Sequence, residues 1–377
     1  MVAMSRDPVK ILHILDSLGM GGMERVVIDV ANGLDRNRFS QSVCCISKVG
    51  EAAKFLHADV RVIEIGKGEA ADRLMPFKIA RVIRDVKPDI VHTQNRSGID
   101  TMIAGLPAKT WRLVHSEHGR NWPNIKSEPI KSRIARRLLY HFSDAVFTVS
   151  GELAEYFCSQ TGFPRSRMGV IPNGIDLNRF DQADRKDIRP ELGLDGNHFV
   201  IGTVARLSPP KDLFTLVRAC ANLRQSHPEA DIRLLIVGDG ELRSSLQQCV
   251  NEAGLSSEVL FTGARDDVPQ LLGAMNVFVL ASLSEGMPLT VLEAMASRLP
   301  VVASAVGALP ELVDDGVSGF LVEPENPRML ADRIAAFYNN EKMATAFGAA
   351  GRLRVERQFN SEIMIGKYSD LYSKIIN

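Results

Sequence analysis

Runs rich in Val, Ile and Leu, apolar at consecutive positions, alternate along almost the whole chain with stretches whose apolar positions return at helical spacing. An uninterrupted apolar run suits a strand buried on both faces, and strand–helix alternation of this kind points to parallel sheets covered by helices on both sides. In the first half the pattern predicts strands at 9–15, 41–47, 60–65, 89–93, 112–117 and 145–149. Helices are expected between them at 23–34, 51–57, 73–86, 98–107, 127–141 and 151–161. The alternation stops near 168–195, where Ile171-Pro-Asn-Gly-Ile-Asp176 gives turn chemistry and leads into a charged stretch punctuated by Pro and Gly, the composition of a linker. It then restarts, with strands expected at 199–205, 232–237, 259–262, 277–281, 300–303 and 319–322. Helices are expected at 212–226, 241–253, 267–275, 290–297 and 327–339, and the segment 341–377 reads as mainly helical. The same architecture thus occurs twice: an α/β protein of two Rossmann-like, doubly wound parallel-sheet domains. Ligands of such sheets bind outside the carboxyl ends of the strands, so two of them facing each other would form a central cleft.

The length of 377 residues suits two domains, and 45% apolar with 24% charged residues is an ordinary globular mixture. Basic and acidic residues number 45 each. That balance argues against a nucleic-acid partner, and any bound anion must be held by local charge. Cys44, Cys45, Cys158, Cys220 and Cys249 are scattered and odd in number, with no C-x-x-C spacing, so they read as reduced core or helix-face thiols. No apolar run approaches the ~18 residues of a membrane span. Residues 1–10 lack the apolar stretch of a signal peptide. The expected location is the cytoplasm, with peripheral contact at the inner face of a membrane left open.

Candidate chemistry gathers just after the strands. After the strand at 277–281 comes Ser282-Leu-Ser-Glu-Gly-Met-Pro-Leu-Thr290, with Glu285 in the loop and Glu293 in the helix that follows. Gly286 allows a sharp turn, Pro288 pre-sets a first helical turn, and the N–H groups of Met287, Leu289 and Thr290 would form an anion site at a helix start. Carboxylates are good acceptors for the paired hydroxyls of a sugar or ribose. After the strand at 199–205, Arg206 and Lys211 are suited to a buried diphosphate, since charge-assisted hydrogen bonds contribute ~1.5–3 kcal/mol each. The glycines of Asp16-Ser-Leu-Gly-Met-Gly-Gly-Met-Glu-Arg25 resemble a phosphate-cradling turn, yet Glu24 stands where a dinucleotide fingerprint needs its last glycine, and no Walker lysine follows. Gly238 and Gly263 end strands where a base or ribose could approach closely, a plain βα turn being the competing reading, and Arg265 follows in a turn suited to a nucleobase. His118, before Gly119, is the catalytic candidate among the first-half strand ends; His115 reads as structural and His92 as evenly balanced. No third ligand accompanies the histidines, so no metal is expected. Lys131, Arg133, Arg136 and Arg137 share a helix with Ile130, Ile134, Leu138 and Leu139, a basic amphipathic pattern open to anionic lipid or to a solvated face.

Taken together, these residues resemble family 4 of the glycosyltransferases, with the GT-B fold. The likeness spans nearly the whole chain. It is most specific where Ala205-Arg-Leu-Ser-Pro-Pro-Lys211, Val237-Gly-Asp-Gly240, Thr262-Gly263 and Glu285-Gly-Met-Pro-Leu-Thr-Val-Leu-Glu293 follow one another, and in the first half it rests on Gly21-Gly22-Met-Glu-Arg25, the His118 turn and Pro172-Asn-Gly-Ile-Asp176. The resemblance implies an acceptor-binding domain at 1–175, a donor-binding domain at 176–357, and a last helix, 358–377, packed back on the first domain. It implies a retaining hexosyltransferase that needs no metal and uses a nucleotide-diphosphate sugar, UDP-linked more commonly than GDP-linked. The acceptor would be a glycan, a lipid-linked sugar or a small molecule, in cell-surface polysaccharide synthesis. Arg206 and Lys211 would hold the diphosphate, and Glu293 the ribose. Glu285 with the backbone of Gly286–Leu289 would hold the sugar, Gly22 would close over donor phosphate, and His118 would meet the sugar. Many family members carry Gly before the arginine and Glu before the lysine; Ala205 and Pro210 stand here, and Pro210 alters the approach of Lys211. A nucleotide-sugar epimerase and a non-catalytic GT-B partner subunit are the alternatives on the same scaffold.

Overall fold

The computed structural model describes residues 7–67, 72–106, 109–181 and 187–376. The start of the segment read for a leader, position 107 of an expected helix, residues 182–186 of the expected linker, and Asn377 lie outside them. The chain divides into two compact units, Met1–Asn173 with Ser361–Asn377, and Gly174–Asn360.

The first unit is built on seven parallel strands: β1 (Val9–Ser17), β2 (Phe39–Lys48), β3 (Arg61–Glu64), β4 (Ile90–Gln94), β5 (Arg112–Glu117), β6 (Ala145–Thr148) and β7 (Met168–Val170). Their order across the sheet is β3-β2-β1-β4-β5-β6-β7. The helices are α1 (Gly22–Gly33), α2 (Met75–Val86), α3 (Ser97–Gly105), α4 (Ile130–Phe142) and α5 (Gly151–Thr161), with the carboxyl-terminal helix returning to this unit. Every residue of β4 is buried, the polar His92, Thr93 and Gln94 included. Helix α2 buries Met75, Ile79 and Ile83, one residue per turn. Helix α5 starts where Ser150 Oγ accepts from Leu153 N and stops at Gly162 in the left-handed region, φ 69°.

The second unit repeats the plan with β8 (Phe199–Val204), β9 (Ile232–Val237), β10 (Val259–Gly263), β11 (Val277–Leu280), β12 (Val301–Ser304) and β13 (Gly319–Val322), in the order β10-β9-β8-β11-β12-β13. Its helices are α6 (Leu213–Ser226), α7 (Arg243–Glu252), α8 (Val268–Gly273), α9 (Leu289–Ala296), α10 (Leu309–Leu312), α11 (Pro327–Tyr338) and α12 (Glu341–Gln358). The last helix of the chain, α13 (Ser361–Ile376), packs on the first unit: Arg38 donates to Ser369 and Ser373 at 3.2 and 2.8 Å, and the Tyr372 ring meets Phe39.

Three expectations need correction. The segment read as a linker begins with β7, which pairs with β6 as a true edge strand and continues into ordered turns. It was missed because three residues carry too little periodicity. The helix expected at 51–57 is a single 3-10 stretch, Glu51–Phe55, and α10 had no counterpart in the reading. Among the described residues, no helix is long and apolar enough to cross a membrane.

Candidate active site

In each sheet the strand order reverses direction at one place, and the loops leaving that place open a crevice at the carboxyl ends of the strands. In the second unit the reversal falls between β8 and β11. The loop after β8 carries Arg206 and Lys211, and the loop after β11 carries Glu285, so residues 74 apart in sequence become neighbours. Lys211 Nζ donates to Glu285 Oε1 at 2.5 Å, and that oxygen also accepts from Ser282 Oγ at 2.6 Å. The backbone joins the same two loops, Leu283 N donating to Pro210 O at 2.8 Å. Glu285 is only 7% exposed, so Lys211 neutralises a carboxylate that burial would otherwise penalise. Pro210 therefore supplies the carbonyl that ties one loop to the other, next to the lysine whose approach it alters.

Arg206 lies exposed at the mouth of this crevice, with no ion-pair partner among the described residues. Helix α9 begins at Leu289, one residue before the expected start, with Pro288 at its N-cap. Leu289 and Thr290 thus belong to the first turn, whose amides have no acceptor within the helix. Met287 is buried and Gly286 half-buried in the loop before it. Glu293 sits one turn into α9, half-buried. Sequence reasoning missed Gly307, in the left-handed region at φ 55°, where an added Cβ would overlap the carbonyl oxygen of Glu285. Ala308 N donates to Gly286 O at 3.3 Å from the same turn. Only the folded backbone reveals that this glycine shapes the glutamate loop.

Arg265 and Gly238 already have close neighbours within the protein. Arg265 is exposed and held by both oxygens of Asp267, at 2.7 and 2.5 Å, so its guanidinium is already engaged. Gly238 does permit a close approach, but what approaches is the backbone of Ala205, whose carbonyl oxygen a Cβ would overlap. Its N–H donates to Gly263 O at 2.9 Å. Gly238 is thus a packing glycine at its strand end, whereas Gly263, at φ 73°, has only ordinary contacts around the place of a Cβ.

In the first unit the reversal lies between β1 and β4. Gly21 caps α1 and Gly22 opens it, exposed; the carboxylate of Glu24 folds back over Gly21. After β4, Asn95 adopts φ 49° and its Oδ1 accepts from His118 N at 2.8 Å. His118 is half-buried, and its Nε2 lies 2.8 Å from Gln94 Oε1 and 3.0 Å from Ser116 Oγ. Burial, then the neighbouring His115, lowers its pKa to about 3, so the ring is neutral at ordinary pH. His115 is fully buried between Thr93 Oγ1 at 2.8 Å and Glu117 Oε1 at 3.1 Å, a structural residue. His92 is buried too, its Nδ1 2.7 Å from Tyr372 Oη, and burial holds its pKa well below the ordinary value.

Helix α4 splits the basic pattern read from sequence. Arg136 turns inward, 8% exposed, donating to Glu128 at 3.1 and 2.9 Å and to Glu117, which Tyr140 also bonds at 3.0 Å. Leu139 is buried with it, whereas Ile130, Ile134 and Leu138 face solvent at 70%, 56% and 57% exposure. Of the basic residues read as one face, Arg136 instead turns inward to two buried carboxylates, and three of the four apolar positions are exposed.

Comparison with known proteins gives these arrangements a family. Residues 20–179 match the family described as Glycosyltransferase Family 4, and residues 184–354 match glycosyl transferases group 1. A UDP-Gal:alpha-D-GlcNAc-diphosphoundecaprenol alpha-1,3-galactosyltransferase of Escherichia coli is 28% identical, over 98% of this chain and 97% of that enzyme. A GDP-mannose-dependent alpha-(1-6)-phosphatidylinositol monomannoside mannosyltransferase of Mycobacterium tuberculosis is 30% identical, over 69% of each chain. The crystal structure of Anabaena HepE in complex with UDP and glucose superposes with a TM-score of 0.85 at 25% identity, covering 97% of this chain and 99% of that one. The chain belongs to family 4 of the glycosyltransferases, retaining enzymes of the GT-B fold. It is a glycosyltransferase that depends on a nucleotide sugar.

Proposed function

We propose that this enzyme transfers a hexose from a UDP-sugar, with retention, to a glycan or lipid-linked acceptor in cell-surface polysaccharide synthesis. The observation that carries the reading is the convergence of Arg206, Lys211, Glu285 and the first turn of α9 at the strand-order reversal of the second unit. A site with two cations, one buried carboxylate and a helix start suits a pyrophosphate joined to a sugar. The HepE complex with UDP and glucose and the E. coli enzyme's UDP-galactose support uridine as the base; the mycobacterial relative's name states GDP-mannose.

In this reading Arg206 bonds the diphosphate. Lys211 is shared between it and Glu285, and Glu285, with the loop from Gly286 to Leu289, orients the sugar hydroxyls. Glu293 accepts from the ribose. His118 contacts the sugar, and Gly22 lets a phosphate approach α1. As the glycosidic bond breaks, negative charge grows on the departing diphosphate, and that is where fixed cations lower the barrier. A diphosphate oxygen takes the proton of the attacking acceptor hydroxyl on the same face, so the configuration is retained. The exposed Ile130, Ile134 and Leu138, with Lys131 on the same helix, suit insertion at an anionic membrane surface where a lipid-linked acceptor would be met.

The test is turnover with UDP-, GDP- and ADP-sugars, alongside calorimetry with the bare nucleotides. Selective UDP binding and transfer that falls by orders of magnitude in Arg206→Ala, with the fold intact, are expected. Near-wild-type transfer by Arg206→Ala would remove the assignment, and selective GDP binding would replace the base.

A further inference from the structure

The side chains around His118 form a chain of hydrogen bonds whose direction can be worked out. Ser116 Oγ, Gln94 Oε1 and His118 Nε2 are mutually within hydrogen-bond distance, His118 Nε2 lying 2.8 Å from Gln94 and 3.0 Å from Ser116. On the far side, Ser116 Oγ is 3.1 Å from His92 Nε2, and His92 Nδ1 is 2.7 Å from Tyr372 Oη on α13. His118 Nδ1 is buried and meets no partner among the described residues.

An amide carbonyl oxygen only accepts, so both neighbours of Gln94 Oε1 must donate to it. The Ser116 hydroxyl proton then points to Gln94, and the His118 proton resides on Nε2. Ser116 Oγ, having spent its proton, accepts from His92 Nε2–H. His92 Nδ1 is left to accept from the Tyr372 hydroxyl. Every contact in the set then has one donor and one acceptor. Turning the Gln94 amide over would aim its N–H groups at Ser116 Oγ and His118 Nε2, so the His118 proton would have to sit on Nδ1, which is buried with no partner among the described residues. A buried donor left without an acceptor is costly, and this cost favours the first arrangement. The backbone keeps the geometry in place, His118 N donating to Asn95 Oδ1 at 2.8 Å and Gln94 N donating to Ser97 Oγ at 3.0 Å.

We infer that Gln94 and Ser116 are positioning residues that hold His118 in its Nε2–H tautomer and leave Nδ1 as a bare acceptor for a ligand hydroxyl. The tautomer follows from unit-one geometry alone; that the ligand is the transferred sugar rests on the function proposed above. The consequence is chemical. A neutral imidazole fixed in this way takes a hydrogen bond from a sugar hydroxyl and has no proton at Nδ1 to give a leaving group. His118 would orient the sugar, while proton transfer stays with the diphosphate. Helix α13 takes part through Tyr372, so the end of the chain helps set a tautomer near β5.

The experiment is long-range 1H–15N NMR of the full chain labelled in histidine, without ligand, at neutral pH. The His118 signals are assigned by comparison with His118→Gln. The expected spectrum has a pyridine-like Nδ1 and a protonated Nε2. A pyrrole-like Nδ1, or an imidazolium, overturns the inference. Gln94→Met removes the acceptor at similar volume. It should give a mixture of the two tautomers and lower kcat about tenfold, the scale of one hydrogen bond, with UDP affinity unchanged. An unmixed Nε2–H tautomer in Gln94→Met overturns the role of Gln94. If that variant does not fold, the wild-type spectrum still decides. Because the spectrum needs no turnover, an inactive protein with the expected tautomer would sink the proposed function and leave this inference standing.

Discussion

Replacing Arg136 by Met tests whether the cluster behind the His118 loop is held by charge. In the wild type Arg136 is 8% exposed and spans Glu117 and Glu128, which are 1% and 3% exposed. Met fills much of the volume but leaves both carboxylates without their cation. They are not stripped entirely: Glu117 keeps Tyr140 at 3.0 Å and His115 at 3.1 Å, and Glu128 keeps Asn121 at 2.9 Å. The loss should therefore match that of breaking one buried pair, about 3–5 kcal/mol. For a unit of this size that lowers Tm by about 6–20 °C. The orphaned carboxylates would ionise only at a raised pKa, and burial already raises that of Glu128. A carboxylate whose folded pKa lies above its unfolded value penalises folding at high pH, and the penalty fades as pH falls through the folded pKa. The deficit of Arg136→Met should thus be largest near pH 8 and shrink toward pH 5. The protein's two tryptophans, Trp111 and Trp122, both lie in the first unit, so their fluorescence during denaturation follows that unit alone. Adding Glu117→Gln and Glu128→Gln should restore most of the stability, since two neutral amides need no cation. A loss below about 1 kcal/mol, or a deficit that does not change with pH, would refute the charge argument.

Other consequences can be checked separately. Gly307→Ala must place a Cβ against the Glu285 carbonyl from a left-handed backbone, which costs about 1–2 kcal/mol before the clash is counted. It should cut kcat/KM at least about tenfold, and unchanged kinetics would show that the glutamate loop tolerates the shift. Glu293→Gln should weaken UDP binding about tenfold, as loss of a charge-assisted bond does, with acceptor KM little changed; calorimetry giving wild-type UDP affinity would take Glu293 out of the site. Ile134→Asp with Leu138→Asp should release the protein from anionic vesicles in flotation without loss of stability, since both side chains are solvent-exposed. Retained flotation would exclude that helix as the contact.

Local pattern was enough to find most of the strands and the repeat. In a doubly wound sheet the inner strands are covered on both faces and read as apolar runs, and the run at 232–237 coincides with β9, an inner strand of its sheet. It also marked Arg206, Lys211, Glu285 and Glu293, because polar groups just past an apolar strand stand out from their surroundings. Tertiary structure alone decided which of these meet. Lys211 and Glu285 become partners only because β8 and β11 are adjacent in the sheet, an order that no local pattern encodes. The same holds for Arg136, whose inward turn depends on buried carboxylates from β5 and the loop before α4, and for Gly307, whose necessity appears only when another loop's carbonyl is folded against it. Periodicity reports the burial of a position along its own element; pairing, direction and close approach are fixed by elements distant in the chain.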